Sequence, residues 1–155
     1  MPHAHAETTI NRPIEEVFSY VSTPQNESHW MPGASKISNV TDGPTHLGTT
    51  YDSLVHFLGR NMDFKVEVTE YDTPRAYGYR ARHGRIESHR HVRFEPVEDG
   101  VMRITMDLEA EGHHHMLRMA EEVLIRAGQR HDQHGLENLR DILETHGPDH
   151  PRHDQ

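Results

Sequence analysis

The chain contains no cysteine, which excludes disulfide bonds, thiolate metal sites and a cysteine nucleophile. It has no run of about 18 apolar residues, so the sequence predicts no membrane insertion. The first residues lack the apolar core of a secretory signal, and we therefore expect a cytoplasmic protein. Hydrophobic residues make up only 33% of the 155 positions, which is enough for one core but not for two.

Basic residues are also few, with 16 Lys and Arg against 25 Asp and Glu and a net charge of −9. This diffuse negative charge argues against nucleic acid as a partner, because phosphate binding needs a basic surface. Histidine is abundant instead, at 16 residues, and would add positive charge near pH 6. The histidines are compatible with a solvated surface or with a pH sensor, and composition does not separate the two. Lys36 and Lys65 are the only lysines, an arginine preference typical of G+C-rich bacteria.

The first third of the chain predicts one strand and two short helices. Glu7–Ile10 is a short strand, and Asn11-Arg12-Pro13 begins a helix whose apolar residues Ile14, Val17, Phe18 and Val21 follow helical spacing. A second short helical turn covers Asn26 to Trp30.

The next segment alternates with a period of two, which predicts an antiparallel meander of six strands separated by short turns. The predicted strands are Ser35–Thr41, Gly48–Leu58, Met62–Tyr71, Ala76–His83, Glu87–Glu95 and Val101–Glu109.

A long helix from Met116 to Glu144 ends the predicted domain. Its apolar track contains Leu117, Ala120, Leu124, Ala127, His131, Leu139 and Ile142. Gly128 and Gly135 weaken this helix and mark a kink or a close approach. We expect a flexible N-terminus over residues 1–5, one domain over residues 6–145 and a disordered tail over residues 146–155.

Six stretches of the chain carry a resemblance to a known family: Thr9–Phe18, His29–Gly33, Leu47–Tyr51, Phe64–Arg75, Arg93–Pro96 and Leu136–Leu143. They resemble the START-like helix-grip superfamily, in particular bacterial polyketide cyclase/dehydrase and lipid-transport proteins. The resemblance implies an α+β fold in which a curved antiparallel sheet of about seven strands wraps around the C-terminal helix. It also implies an internal cavity for a hydrophobic ligand. Because no catalytic motif is shared across the family, the resemblance assigns no catalytic residue.

Strand alternation predicts which side chains face the cavity. Val92 and Phe94 set the inward face of their strand, which also turns Ser88 and Arg90 inward. An inward arginine needs a partner, either a ligand oxyanion or an acid such as Glu70. His131 on the helix could transfer protons, and Tyr51 could polarise a carbonyl group. The candidate catalytic residues are therefore Arg90, His131 and Tyr51.

The candidate ligand-binding residues share an inward position, an aromatic or flexible apolar side chain, or a small hydroxyl group. They are Trp30, Ser53, Phe57, Phe64, Tyr77, Tyr79, Ser88, Met106 and Leu124. Core packing is an equally simple role for the aromatic and methionine residues among them.

A metal site is a rival interpretation, since His89, His91 and Glu95 lie on one face of a strand, as in a cupin motif. They have the opposite parity to Val92 and Phe94, so a solvated outer face is the simpler explanation.

Our leading hypothesis is a cyclase or dehydratase that needs no cofactor and acts on a polyketide-like or aromatic molecule. The alternative is a carrier that uses the same cavity without turnover. A third hypothesis is a metal-dependent enzyme using His89 and His91. An exposed sheet edge would also allow a homodimer.

Overall fold

The computed structural model of the chain describes residues 3–57, 59–112 and 118–145. Within these residues, seven strands and three helices follow one another, with a 3₁₀ turn at Pro24–Asn26 before the second helix. They are β1 (His3–Ile10), α1 (Ile14–Val21), α2 (Glu27–Trp30), β2 (Ala34–Ser38), β3 (Thr50–Phe57), β4 (Arg60–Asp72), β5 (Ala76–His83), β6 (Ile86–Glu98), β7 (Val101–Gly112) and α3 (Arg118–Thr145).

All seven strands form one antiparallel sheet in the order β1-β7-β6-β5-β4-β3-β2. The sheet is curved and α3 packs against it, which confirms the predicted helix-grip architecture. Strand β1 begins at His3, where we expected a flexible segment, and its first residues pair with β7 from Glu109 to Asp107.

Side chains alternate between the two faces of each strand, and this alternation determines which of them form the core. Residues Met102, Ile104, Met106 and Leu108 of β7 are all buried, as their parity predicts. A bulge between Val68 and Glu70 shifts the register of β4 against β5, and Tyr71 then packs against the core.

The buried face of α3 differs from the predicted track. It is centred on Ile125, Gly128, Asp132, Leu136, Leu139 and Leu143, while Ala127, His131 and Ile142 are only half-buried. The predicted track shares Leu139 with this face, but among the described side chains it otherwise follows the flank, because it excluded Gly128 and Asp132, which lie in the middle of the buried face.

Two predictions lie outside the described residues. These are the start of the last helix at Met116 and the tail over residues 146–155. The side chain of Leu124, a candidate ligand contact, is also outside what the structure describes.

Candidate functional site

A cavity of about 110 Å³ lies between the sheet and α3. Its lining includes residues of two buried clusters, Val66 and Ala81 of a large one and Leu108, Ala110 and Ile125 of a small one. Its wall is mostly apolar and includes Val55, Phe57, Met62, Phe64, Ile86 and Leu108. Such a space suits a ligand with an apolar body.

Polar side chains from five elements of the fold reach this cavity. They are Glu27 of α2, Ser53 of β3, Tyr79 of β5, Ser88 and Arg90 of β6, and His131 of α3. The strands place theirs by alternation, since each of these strand residues shares the inward parity of its apolar neighbours.

Glu27 is the carboxyl group that the cavity exposes to a ligand. The hydroxyl of Tyr51 donates to its Oε1 at 2.8 Å, and the hydroxyl of Ser53 donates to its Oε2 at 2.8 Å. Burial raises the pKa of Glu27, and these two hydrogen bonds oppose that shift only in part. A carboxyl group with a raised pKa in an apolar site is suited to accepting and returning a proton.

Arg90 is held by Asp132 of α3 through two hydrogen bonds. Its Nε donates to Oδ2 at 3.0 Å and its Nη2 donates to Oδ1 at 2.9 Å. Burial alone would lower the pKa of Arg90, but the adjacent carboxylate outweighs it and raises that pKa. Burial alone would raise the pKa of Asp132, but Arg90 outweighs it and that pKa is lowered. Both groups are therefore charged in this pair.

His131 joins α3 to the loop after α2. Its Nε2 donates to the carbonyl oxygen of Pro32 at 2.5 Å, and its Nδ1 lies 3.4 Å from Oδ1 of Asp132. Its ring also packs edge-on against Phe57, with the ring centroids 5.3 Å apart. The imidazole is thus fixed in orientation on both sides.

The structure brings most of the predicted site residues to this cavity. Both Arg90 and His131 line it, and so do the predicted ligand contacts Ser53, Phe57, Phe64, Tyr79 and Ser88. Tyr51 does not line it but hydrogen-bonds to Glu27, which does. Trp30, Tyr77 and Met106 are buried in the core outside the cavity lining.

Two residues of the site were missed by sequence reasoning, Glu27 and Asp132. The predicted helical turn from Asn26 to Trp30 contains Glu27. The sequence did not indicate that the side chain of Glu27 points towards the cavity. Asp132 lies four residues after Gly128 and four before Leu136, which places an acid on the buried face of α3. Arg90 was predicted to point inward and to need an acidic partner. An acid on the buried face of α3 could therefore have been identified as that partner.

The rival metal residues lie on the opposite face of β6. His89 hydrogen-bonds to Glu87 at 2.9 Å, and His91 lies 3.6 Å from Glu70 and 3.6 Å from Glu109. Glu95 pairs with Arg103 at 3.1 Å. Across the described residues, no three or more such side chains are arranged to hold a metal ion.

Comparison with known families identifies the chain. A family model described as polyketide cyclase / dehydrase and lipid transport matches residues 1–144, and the chain belongs to this family. Family and fold together indicate a polyketide cyclase-like protein that binds a ligand, as the resemblance in the sequence implied. No curated protein sequence gave a match.

Solved structures share the fold at low sequence identity. A START superfamily protein from Mycobacterium smegmatis matches with a TM-score of 0.75 at 13% identity, covering 92% of this chain and 97% of its own. Truncated norcoclaurine synthase from Thalictrum flavum matches with a TM-score of 0.71 at 13% identity, covering 93% and 94%. DynU16, from the dynemicin biosynthetic locus, matches with a TM-score of 0.62 at 18% identity, covering 94% of this chain and 48% of its own.

The helices that the structure describes include none with the length and apolarity needed to cross a membrane.

Proposed function

We propose that this member of the polyketide cyclase/dehydrase and lipid transport family binds a mid-sized hydrophobic molecule in its cavity and transforms it by proton transfer without a cofactor. The observation that carries the proposal is the placement of Glu27, with its two hydroxyl donors, at a mostly apolar cavity that also contains Arg90. An apolar wall provides binding, and the polar groups provide acid–base chemistry.

Each polar group has a distinct role in this proposal. Glu27 removes a proton from a carbon of the ligand that lies beside a carbonyl group. Arg90 stabilises the oxygen that gains negative charge, because its bonds to Asp132 use only two of its five N–H donors. The cavity wall holds the ligand in a folded shape that favours cyclisation or dehydration.

The structure changes the role that we assign to His131. As a proton shuttle, the imidazole would need a ring nitrogen free to exchange a proton with the ligand. Its Nε2 proton is directed at the Pro32 carbonyl oxygen and its Nδ1 faces Asp132. We therefore assign proton transfer to Glu27, and to His131 the positioning of the loop and of Asp132.

Native mass spectrometry of the protein from its own host tests the binding step. We expect a small organic adduct on the wild-type protein that is released on denaturation. Ser88→Phe, which fills the cavity, should lose the adduct, whereas Ser35→Phe makes the same change on the exposed strand β2 and should keep it. An adduct that persists in the Ser88→Phe protein would contradict binding in this cavity.

Incubation of the released ligand with fresh protein tests the chemical step. Conversion by the wild-type protein, and its loss in Glu27→Gln, would support an enzyme. A ligand recovered unchanged would instead support a carrier, for which the apolar wall alone is sufficient.

A further inference from the structure

Tyr79 of β5 and Arg90 of β6 are direct cross-strand neighbours on the inward face of the sheet. Both side chains line the cavity, and Tyr79 is only 6% exposed. Side chains that face each other across an antiparallel pair have Cβ atoms about 5 Å apart. The phenol of Tyr79 therefore meets the polar end of the cavity beside the guanidinium of Arg90.

The hydroxyl group of Tyr79 has a donor for its oxygen but no acceptor for its proton. Its oxygen accepts a hydrogen bond from Arg90, since a guanidinium can only donate. The two acids nearby, Glu27 and Asp132, receive their hydrogen bonds from other side chains. Within the described part of the chain, no other group accepts the Tyr79 proton, so a ligand oxygen can take this hydrogen bond.

Tyr79 is an uncharged donor near neutral pH. Burial raises the pKa of its phenol, and the positive charge of Arg90 opposes that shift only in part. The hydrogen bond from Arg90 also makes the hydroxyl group a stronger donor, because hydrogen bonds in a chain polarise one another.

We propose that Tyr79 is a catalytic residue that donates a hydrogen bond to the ligand oxygen that gains negative charge. This inference rests on the proposed function, since it adds a second donor to the oxygen that Arg90 stabilises. When Glu27 takes the proton from the carbon beside the carbonyl group, the electron pair of that C–H bond forms the enolate and the charge moves to the oxygen. Tyr79 and Arg90 then stabilise this oxygen together, and both keep their protons.

A matched pair of probes tests the inference. 4-Nitrophenol ionises near neutral pH to a phenolate, whose oxygen resembles that of an enolate and which absorbs visible light. 4-Nitroanisole has the same body with its oxygen capped by a methyl group. Because Glu27 is neutral once it has taken the proton, the titrations use Glu27→Gln protein, freed of ligand by unfolding and refolding, above neutral pH.

The expected result is a preference for the phenolate that depends on one hydroxyl group. We expect Glu27→Gln protein to bind 4-nitrophenolate at least about tenfold more tightly than 4-nitroanisole. Adding Tyr79→Phe should weaken phenolate binding by about 10- to 100-fold and leave 4-nitroanisole binding unchanged. Adding Tyr71→Phe, which removes a hydroxyl group outside the cavity lining, should change neither affinity. A phenolate affinity that survives Tyr79→Phe would overturn the inference.

The absorption band of the bound phenolate gives a second readout, which loss of packing alone would not move. A hydrogen bond to the phenolate oxygen shifts this band to shorter wavelength, so the band should move to longer wavelength when Tyr79→Phe is added. A band at the same wavelength with and without Tyr79→Phe would contradict donation by Tyr79.

The same titrations separate the inference from the function on which it rests. Unchanged phenolate binding in the Tyr79→Phe protein would remove Tyr79 from the reaction and leave the roles of Glu27 and Arg90 intact. Failure of both probes to bind the Glu27→Gln protein would overturn the proposed binding function together with the inference. If the Tyr79→Phe protein does not fold, Tyr79→Leu provides a second variant without the hydroxyl group, with the same expected loss of preference for the phenolate.

Discussion

Arg90 of β6 and Asp132 of α3 form a buried, bidentate ion pair that ties the last helix to the sheet beside the cavity. The side chain of Asp132 is 2% exposed and that of Arg90 is 16% exposed. Breaking such a pair leaves one charge without a partner away from water, which costs more than the pair contributes.

We therefore expect Asp132→Ala to lower the free energy of unfolding by about 3–5 kcal/mol. The double variant Arg90→Met with Asp132→Leu should recover most of this loss, because it removes both charges. Urea denaturation measures the effect. Asp72→Ala, which breaks the exposed Asp72–Arg75 pair, is the control and should cost less than about 1 kcal/mol. An equal loss in the control and in Asp132→Ala would contradict the argument.

Glu27→Gln should make the ligand-free protein more stable near neutral pH while it abolishes conversion of the ligand. Because burial raises the pKa of folded Glu27, its contribution to stability falls as the pH rises from the unfolded value of 4.5 through the folded one. The stability that Glu27→Gln gains over the wild-type protein should therefore decrease on acidification to about pH 4. Denaturation curves across this range measure it, with Glu15→Gln as control. A variant less stable than wild type near neutral pH would oppose the assignment.

Gly128 sets how closely α3 approaches β7. A Cβ atom at this position would lie 2.7 Å from Cδ2 of Leu108, and both residues line the cavity. We expect Gly128→Ala to cost about 1–3 kcal/mol by overpacking, despite the better helix propensity of alanine. It should also weaken binding of the organic adduct that native mass spectrometry detects.

A double variant separates overpacking from other causes. Gly128→Ala combined with Leu108→Ala should cost less stability than the sum of the two single variants, since Leu108→Ala removes the methyl group with which the new Cβ atom collides. Gly135→Ala is the matched control, because its Cβ would meet the sulfur of Met31 at 3.1 Å, a flexible neighbour. Additive losses in the double variant would show that the two side chains do not collide.

The convex face offers a test of the metal hypothesis. His89 and His91 point away from the cavity, each beside an acidic side chain. We expect the double variant His89→Ala with His91→Ala, treated with chelator, to keep the organic adduct that native mass spectrometry detects on the wild-type protein. Loss of binding that returns on addition of zinc would support a metal-dependent site instead.

Much of the fold could be predicted from the alternation of apolar and polar residues along the strands. The period of two in β5 gave its bounds, Ala76–His83, and the inward face of β6 followed from Val92 and Phe94. Arg90 and Ser88 could then be placed in the cavity by parity alone. Strand β1 was expected to start at Glu7, because the alternation of histidine and alanine before it does not look apolar, although Ala4 and Ala6 are buried.

The site was predicted less completely because its pairs join distant parts of the chain. Arg90 and Asp132 are 42 residues apart, and Glu27 and Tyr51 are 24 apart. Alternation predicts which strand side chains face the cavity. It does not predict which side chain of α2 or α3 each of them contacts, because that depends on how these helices pack against the sheet. Glu70 was one expected partner for Arg90, yet Glu70 lies outside the cavity lining and near His91 and Arg93.

Deuterium incorporation into the bound ligand tests proton transfer by Glu27 most directly. The ligand released from the native protein is incubated in heavy water with wild-type, Glu27→Gln or Glu15→Gln protein, and the mass of ligand and product is followed. We expect wild-type and Glu15→Gln proteins to introduce solvent deuterium at carbon during conversion, and Glu27→Gln protein not to do so. Equal incorporation with Glu27→Gln, or none with any of the three proteins, would contradict proton transfer by Glu27.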